Sequence, residues 1–225
     1  MGKISRDKIE RIQLELKNWG KKNFRDFPWR KTVKPFHALI AEIMLQRTKA
    51  KQVLPVYAKF IEKYPNIKTT SLGDLGGIRQ LLWPLGLRWR TEKIIELINK
   101  LGEIDKIPEN QEDLIKLPGV GLYVANAYLS LYRNVKAPIL DRNAVRVWSR
   151  ILGFKSKSET HKKKWFYKLV QDLTPSKGFR QFNYALLDFA GAICAPNPRC
   201  DGCPIAPYCT YYSKHVTKGL IDSMG

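Results

Sequence analysis

Helical spacing is the feature that most constrains this chain. Ile9, Ile12, Leu16 and Trp19 recur at steps of three, four and three, which places them on one helical stripe. The same period returns in Ile94, Leu97, Ile98 and Leu101, and in Val124, Ala127, Tyr128 and Leu131. The segments "QEDLIKL", "RNAVRVWSRILGF" and "FNYALLDFAGAIC" also read as helices. The stretch "FHALIAEIMLQRTKAKQVLPVYAKFIEKYP" reads as a helix, a break near Pro55 and a second helix. Alternating strand-like runs are nearly absent. The pattern predicts an all-α chain of helices joined by short loops.

Charge narrows the choice of partner. Forty Lys and Arg face twenty Asp and Glu, a net charge of +20 over 225 residues. The basic residues are spread along the chain, so a folded surface carries them. A polyanion is implied, and nucleic acid is the commonest one. A lysine-rich thermophile surface normally brings matching glutamates, which are missing here. No apolar run reaches the roughly eighteen residues that would span a bilayer. The N-terminal "MGKISRDKIERIQ" lacks an apolar signal core. These features predict a cytoplasmic protein without a membrane partner.

Four groups of residues carry chemistry. In "EDLIKLPGVGLYVANAYLSL" a glycine turn joins two helices. Gly119 and Gly121 are expected to adopt φ values that other residues avoid. Together with Leu117 and Val120 they would bring backbone N–H groups to one DNA phosphate, at the positive end of the next helix. The alternative is an ordinary corner between two helices. Cys194, Cys200, Cys203 and Cys209 are the only cysteines and fall within sixteen residues, spaced C-x5-C-x2-C-x5-C. Both four-thiolate zinc and a 4Fe–4S cluster are chemically open to such a set. A single Cys-x-x-Cys, where zinc ribbons use two, favours iron–sulfur. Arg199 stands in the intervening loop, placed to meet a phosphate.

Asp141 in "APILDRNAVRVWSRIL" is a natural helix N-cap. That position is expected to lower its pKa and keep it ionised. Glu42 interrupts an apolar run in "LIAEIMLQRTKA". Helical geometry would put Gln46 and Lys49 on its face. It reads either as part of a solvated polar face or as a general acid whose pKa is raised by burial. Tyr123 opens the helix after the glycine turn and is either a core tyrosine or a group facing the chemistry.

The glycine turn, Asp141 eighteen residues after Tyr123 and the C-terminal four-cysteine loop together resemble the helix-hairpin-helix DNA glycosylases. That superfamily includes endonuclease III, adenine mismatch glycosylases and archaeal thymine–guanine mismatch glycosylases. The resemblance runs from "FRDFPWR" at Phe24–Arg30 to "CPIAPYC" at Cys203–Cys209. It implies a two-lobed fold: a helical barrel lobe over 32–136, residues 1–31 packing on the second lobe, and a cluster-bearing lobe over 137–225. The DNA cleft would lie between the lobes. It implies base flipping and cleavage of the N-glycosidic bond in mismatched duplex DNA by a monomer.

In that resemblance Asp141 stabilises the sugar cation, and Glu42 matches the acid that protonates the leaving base in the adenine branch. The four cysteines match the ligands of a 4Fe–4S cluster, with zinc as the alternative. Tyr123 occupies the slot where endonuclease III enzymes carry a Schiff-base lysine, which implies a monofunctional enzyme that leaves an abasic site. A bifunctional lyase would need another amine, such as Lys136. Gln46 and Arg47, and more weakly Arg88 and Trp89, match positions that wedge into the duplex.

"LQRTKA" and "FNYALLDFAGAICAP" look closer to the thymine–guanine branch, so T or U opposite G is the expected substrate. The short stretch after the cysteines is expected to leave no room for the domain with which adenine enzymes read oxidised guanine. Adenine opposite G or oxidised G is the alternative, and a non-catalytic DNA-binding module the second. Three departures from the family pattern stand out. The first two cysteines are separated by five residues instead of six, "GLRWRTEKI" is a residue short, and Arg142 replaces a small residue beside Asp141.

Overall fold

The computed structural model describes residues 4–104 and 106–215. Among them there are twelve α-helices, several 3-10 turns and no strand. No helix is long and apolar enough to cross a membrane. The helices are α1 (Arg6–Lys22), α2 (Pro35–Met44), α3 (Ala50–Lys63), α4 (Ile67–Ser71), α5 (Leu75–Leu82) and α6 (Arg88–Ile104). They continue as α7 (Gln111–Leu114), α8 (Leu122–Tyr132), α9 (Arg142–Leu152), α10 (Lys164–Leu173), α11 (Phe179–Ala192) and α12 (Thr210–His215).

The chain divides into two compact units, one of Asp26–Val135 and one of Met1–Arg25 with Lys136–Gly225. In the first, α2 is the central element. Every residue from Phe36 to Met44 is buried, and α2 packs against α3, α6 and α8. A helix apolar all round belongs inside a domain, and this makes its one acid, Glu42, conspicuous.

The expected helix break near Pro55 is not there. Pro55 lies inside α3, and the break falls at Leu45–Lys49. Proline in the second turn costs α3 one backbone hydrogen bond. Burial of Val53, Val56, Tyr57 and Phe60 on one face offsets that loss. At the true break, Arg47 adopts φ +56°, a left-handed conformation that ends α2.

In the second unit α1 lies against α11. The approach is close at Gly20, where an added Cβ would sit 2.5 Å from the Cβ of Ala185. Next to it, α9 packs on α11 and α12. Ala144, Val145, Val147, Trp148 and Ile151 of α9 are buried on one face. Gly153 ends α9 in the left-handed conformation.

Candidate active site

The hairpin is built from α7, the turn over Leu117–Gly121 and α8. Leu117 and Val120 are buried and anchor the turn, and the Val120 N–H donates to the Leu117 carbonyl at 3.1 Å. Gly119 has φ +75°, and an added Cβ would lie 3.2 Å from the Lys93 Cβ. Gly121 differs from the expectation. Its φ is −88°, an ordinary value, and nothing lies within 4 Å of a would-be Cβ. One glycine, not two, is demanded by the backbone. No side chain caps the first turn of α8. Tyr123, second residue of that helix, is half-buried.

Gln46 is tied to this turn, its side-chain amide donating to the Gly119 carbonyl at 3.1 Å. It does so from the loop after α2. Gln46 and Lys49 therefore do not share a helical face with Glu42, because α2 ends at Met44. Arg47 in the same loop is exposed. Arg88 and Trp89, exposed at the start of α6, stand beside a third exposed group, Trp83. The Arg88 guanidinium lies 5.2 Å from the Trp83 ring centroid, within cation–π range.

Glu42 is not part of a solvated face. It is 3% exposed. The Tyr132 hydroxyl donates to its Oε1 at 2.7 Å. Burial pushes the carboxyl up to about 7, against the opposing pull of Tyr132 and of the Arg30 charge. A carboxyl that titrates near neutrality can hold a proton and release it, as a general acid must. Tyr132 had no signal in the sequence, because it lies ninety positions away in an apolar helix.

Asp141 is the N-cap of α9. Its carboxylate accepts from the Ala144 N–H at 2.7 Å and from the Asn143 side-chain amide at 2.7 Å. The expected lowering of its pKa does not occur. Burial raises it, and this outweighs the hydrogen bonds from Ala144 and Asn143 and the Arg146 charge, which pull it down. Asn143 and Arg146 were also missed. Arg146 donates to Asn143 Oδ1 at 3.0 Å, to the Cys194 carbonyl at 2.8 Å and to the Ala190 carbonyl at 2.8 Å. A chain of polar contacts thus runs from Asp141 to the first cysteine. Arg142, the first residue of α9, is exposed.

The four cysteines are free thiols and line one small cavity with Ile151, Phe189 and Ile205. Arg150 ties their loop down, donating to the Ala195 and Pro196 carbonyls at 2.6 and 2.8 Å. Burial pushes the Cys203 thiol up to about 11 and raises Cys200 and Cys209. Among the described residues no three His, Cys, Asp or Glu side chains form a group that would hold a metal ion as they stand. Arg199 is exposed on the same loop. Glu42, Tyr123 and the hairpin belong to one unit, and Asp141 and the cysteines to the other.

Residues 40–172, more than half of the chain, match the family model described as "HhH-GPD superfamily base excision DNA repair protein", and the chain belongs to that family. It is 34% identical over 218 residues to the thymine-DNA glycosylase of Aeropyrum pernix, covering 93% of this chain and 98% of that protein. It is 35% identical over 207 residues to an adenine DNA glycosylase of Buchnera aphidicola subsp. Schizaphis graminum, covering 88% of this chain but 58% of that protein. The fold superposes on the solved structure of a thermostable thymine-DNA glycosylase with a TM-score of 0.86. That match has 33% identity and covers 92% of this chain and 98% of the other.

The burial of Glu42 has a measurable consequence. Its folded-state pKa is raised from 4.5 to about 7. The folded protein therefore holds a proton that the unfolded chain has released. That contribution is fully present below about pH 4.5 and is lost as pH rises through about 7. Relative to Glu42→Gln, the wild type should lose roughly 3 kcal/mol across this window, read by denaturant titration at successive pH values. Parallel stability curves would show that burial does not shift Glu42.

Proposed function

We propose that the protein is a monofunctional DNA glycosylase that removes thymine or uracil opposite guanine and leaves an abasic site for base excision repair. It works as a monomer on mismatched duplex DNA of the nucleoid. The observation that carries this reading is Glu42, a buried acid titrating near neutrality within a DNA-repair family. The likeness to the Aeropyrum pernix thymine-DNA glycosylase along nearly the whole of both chains supports the choice of base.

In this reading the hairpin backbone around Gly119, with the N-terminal end of α8, grips a phosphate. Gln46, Arg47, Arg88 and Trp89 fill the space left by the flipped base, and Arg142 and Arg199 add phosphate contacts. Glycosidic bond cleavage develops positive charge on the sugar and negative charge on the departing base. Glu42 delivers its proton to the base. The Asp141 carboxylate stabilises the sugar cation until water adds to it and gives up a proton, with Ala144, Asn143 and Arg146 favouring its ionised form against the cost of burial. Tyr123 carries a phenol and no amine, so it forms no imine with the sugar.

The cysteine pocket belongs to the same proposal. Thiolates around one zinc sit about 2.3 Å from it and crowd a single point. Four thiols lining one cavity are a donor set that a 4Fe–4S cluster or zinc would take, and the single Cys-x-x-Cys favours the cluster. Cys194, Cys200, Cys203 and Cys209 would hold it, and it would supply a cross-link that fixes the loop over 194–209. Arg150, which pins the loop at Ala195 and Pro196, would hold the shortened first spacing in place.

One observation favours a second substrate, adenine opposite G or oxidised G: the 35% identity to the Buchnera adenine DNA glycosylase. Oligonucleotides carrying T:G, U:G, A:G or A opposite oxidised guanine, cut with alkali after incubation, separate the readings. Alkali-dependent cleavage at T:G and U:G, with no adduct trapped by borohydride, is expected. Cleavage confined to the adenine duplexes would move the protein to the other branch. No abasic product from any duplex, with salt-sensitive binding retained, would leave a non-catalytic binding module. Protein purified without air should be brown and carry about four irons per chain. A colourless preparation with one tightly held zinc would contradict the cluster.

A further inference from the structure

The loop after α2 carries the wedge candidates Gln46 and Arg47, the loop before α6 leads directly into Arg88 and Trp89, and each loop contains a non-glycine residue in the left-handed conformation. Arg47 has φ +56° and Leu87 has φ +57°. Such conformations cost energy and persist only where the surroundings enforce them. Both loops converge on one side chain, Arg90, which is 1% exposed. Its Nη1 donates to the Met44 carbonyl at 2.7 Å, the Gln46 carbonyl at 2.6 Å and the Thr48 hydroxyl at 2.8 Å. Its Nη2 donates to the Leu85 carbonyl at 2.8 Å and reaches the Gly86 carbonyl at 3.4 Å.

Met44 is the last residue of α2, and Leu85 is the last of the 3-10 turn Trp83–Leu85. Carbonyls at helix ends lack intrahelical partners and carry partial negative charge. The guanidinium therefore caps two chain reversals at once, with carbonyl and hydroxyl oxygens as the acceptors described for it. Gln46, held by its carbonyl, passes the connection on to the hairpin through its own bond to Gly119. Arg88 and Trp89 immediately precede Arg90 on α6.

We propose that Arg90 is a positioning residue that locks the two wedge loops and the hairpin into one rigid arrangement, so that they act together in extruding the target base. This rests on the glycosylase reading above. Arg90 touches none of the reacting atoms, so its loss should impair extrusion and spare bond cleavage. A planar fork with five donors suits acceptors arranged on two sides, and a lysine ammonium does not reproduce it.

The test compares wild type, Arg90→Lys and the milder Thr48→Val, which removes one acceptor without stranding a charge. Single-turnover excision is measured on a T:G duplex and on the same duplex with the thymine opposite an abasic position, where extrusion is already nearly free. Arg90→Lys should lose about ten- to a hundredfold on the first and little on the second, and Thr48→Val less in the same direction. Amide hydrogen exchange, read without DNA, should quicken in both 45–48 and 85–87 in Arg90→Lys. Equal losses on the two substrates, or quickened exchange in one loop or neither, would overturn the proposal. A wild-type protein that excises nothing contradicts the glycosylase reading, and the exchange data alone then judge Arg90.

Discussion

Asp141 is held between two opposing forces, and the account of this protein depends on how they balance. Burial disfavours its charge, while the Ala144 N–H, the Asn143 amide and the Arg146 guanidinium favour it. Asp141 is half-buried, so its loss of water is partial and its donors hold it in place while part of it stays open to solvent. The same donors fix its direction. Arg146 reaches from Asn143 to the carbonyl of Cys194, so the backbone of the cysteine loop helps orient the Asp141 carboxylate.

Glu42 shows the complementary arrangement. It sits in a helix buried on all sides, and the one hydrogen bond it is given, from Tyr132, is too little to offset the loss of water. The outcome is a carboxyl near neutrality. Two acids in one protein, one supported by several donors and one nearly isolated, are suited to different parts in a reaction that needs both a proton and a negative charge.

Much of this was legible in the sequence where the determinant is local. The stripe of α6 and the N-cap at Asp141 are short-range patterns, and both appear in the structure. Gly119 was legible for the same reason, since a turn that demands φ +75° selects glycine. What was not legible depends on distant partners. Whether Glu42 is solvated or buried is decided by α3, α6 and α8 closing around α2. The pKa of Asp141 was read with the wrong sign, because the helix N-terminus is visible in the sequence and the burial is not. Arg90 was invisible among forty basic residues, where a buried cation looks like a surface one. The helix α10 was hidden too: its stripe of Phe166, Val170 and Leu173 follows a run of lysines that reads as loop. Pro55 drew the break away from its true place at Leu45–Lys49, because proline is a stronger sequence signal than the left-handed Arg47 that actually turns the chain.

The most direct measurement is single-turnover excision of thymine from a T:G duplex by Asp141→Asn. Asparagine serves as an N-cap about as well as aspartate, so α9 and duplex affinity should survive the change. Wild-type binding and melting are expected, with an excision rate lower by about a hundred- to a thousandfold. Excision at the wild-type rate by that folded, DNA-bound variant would contradict the role of the Asp141 carboxylate.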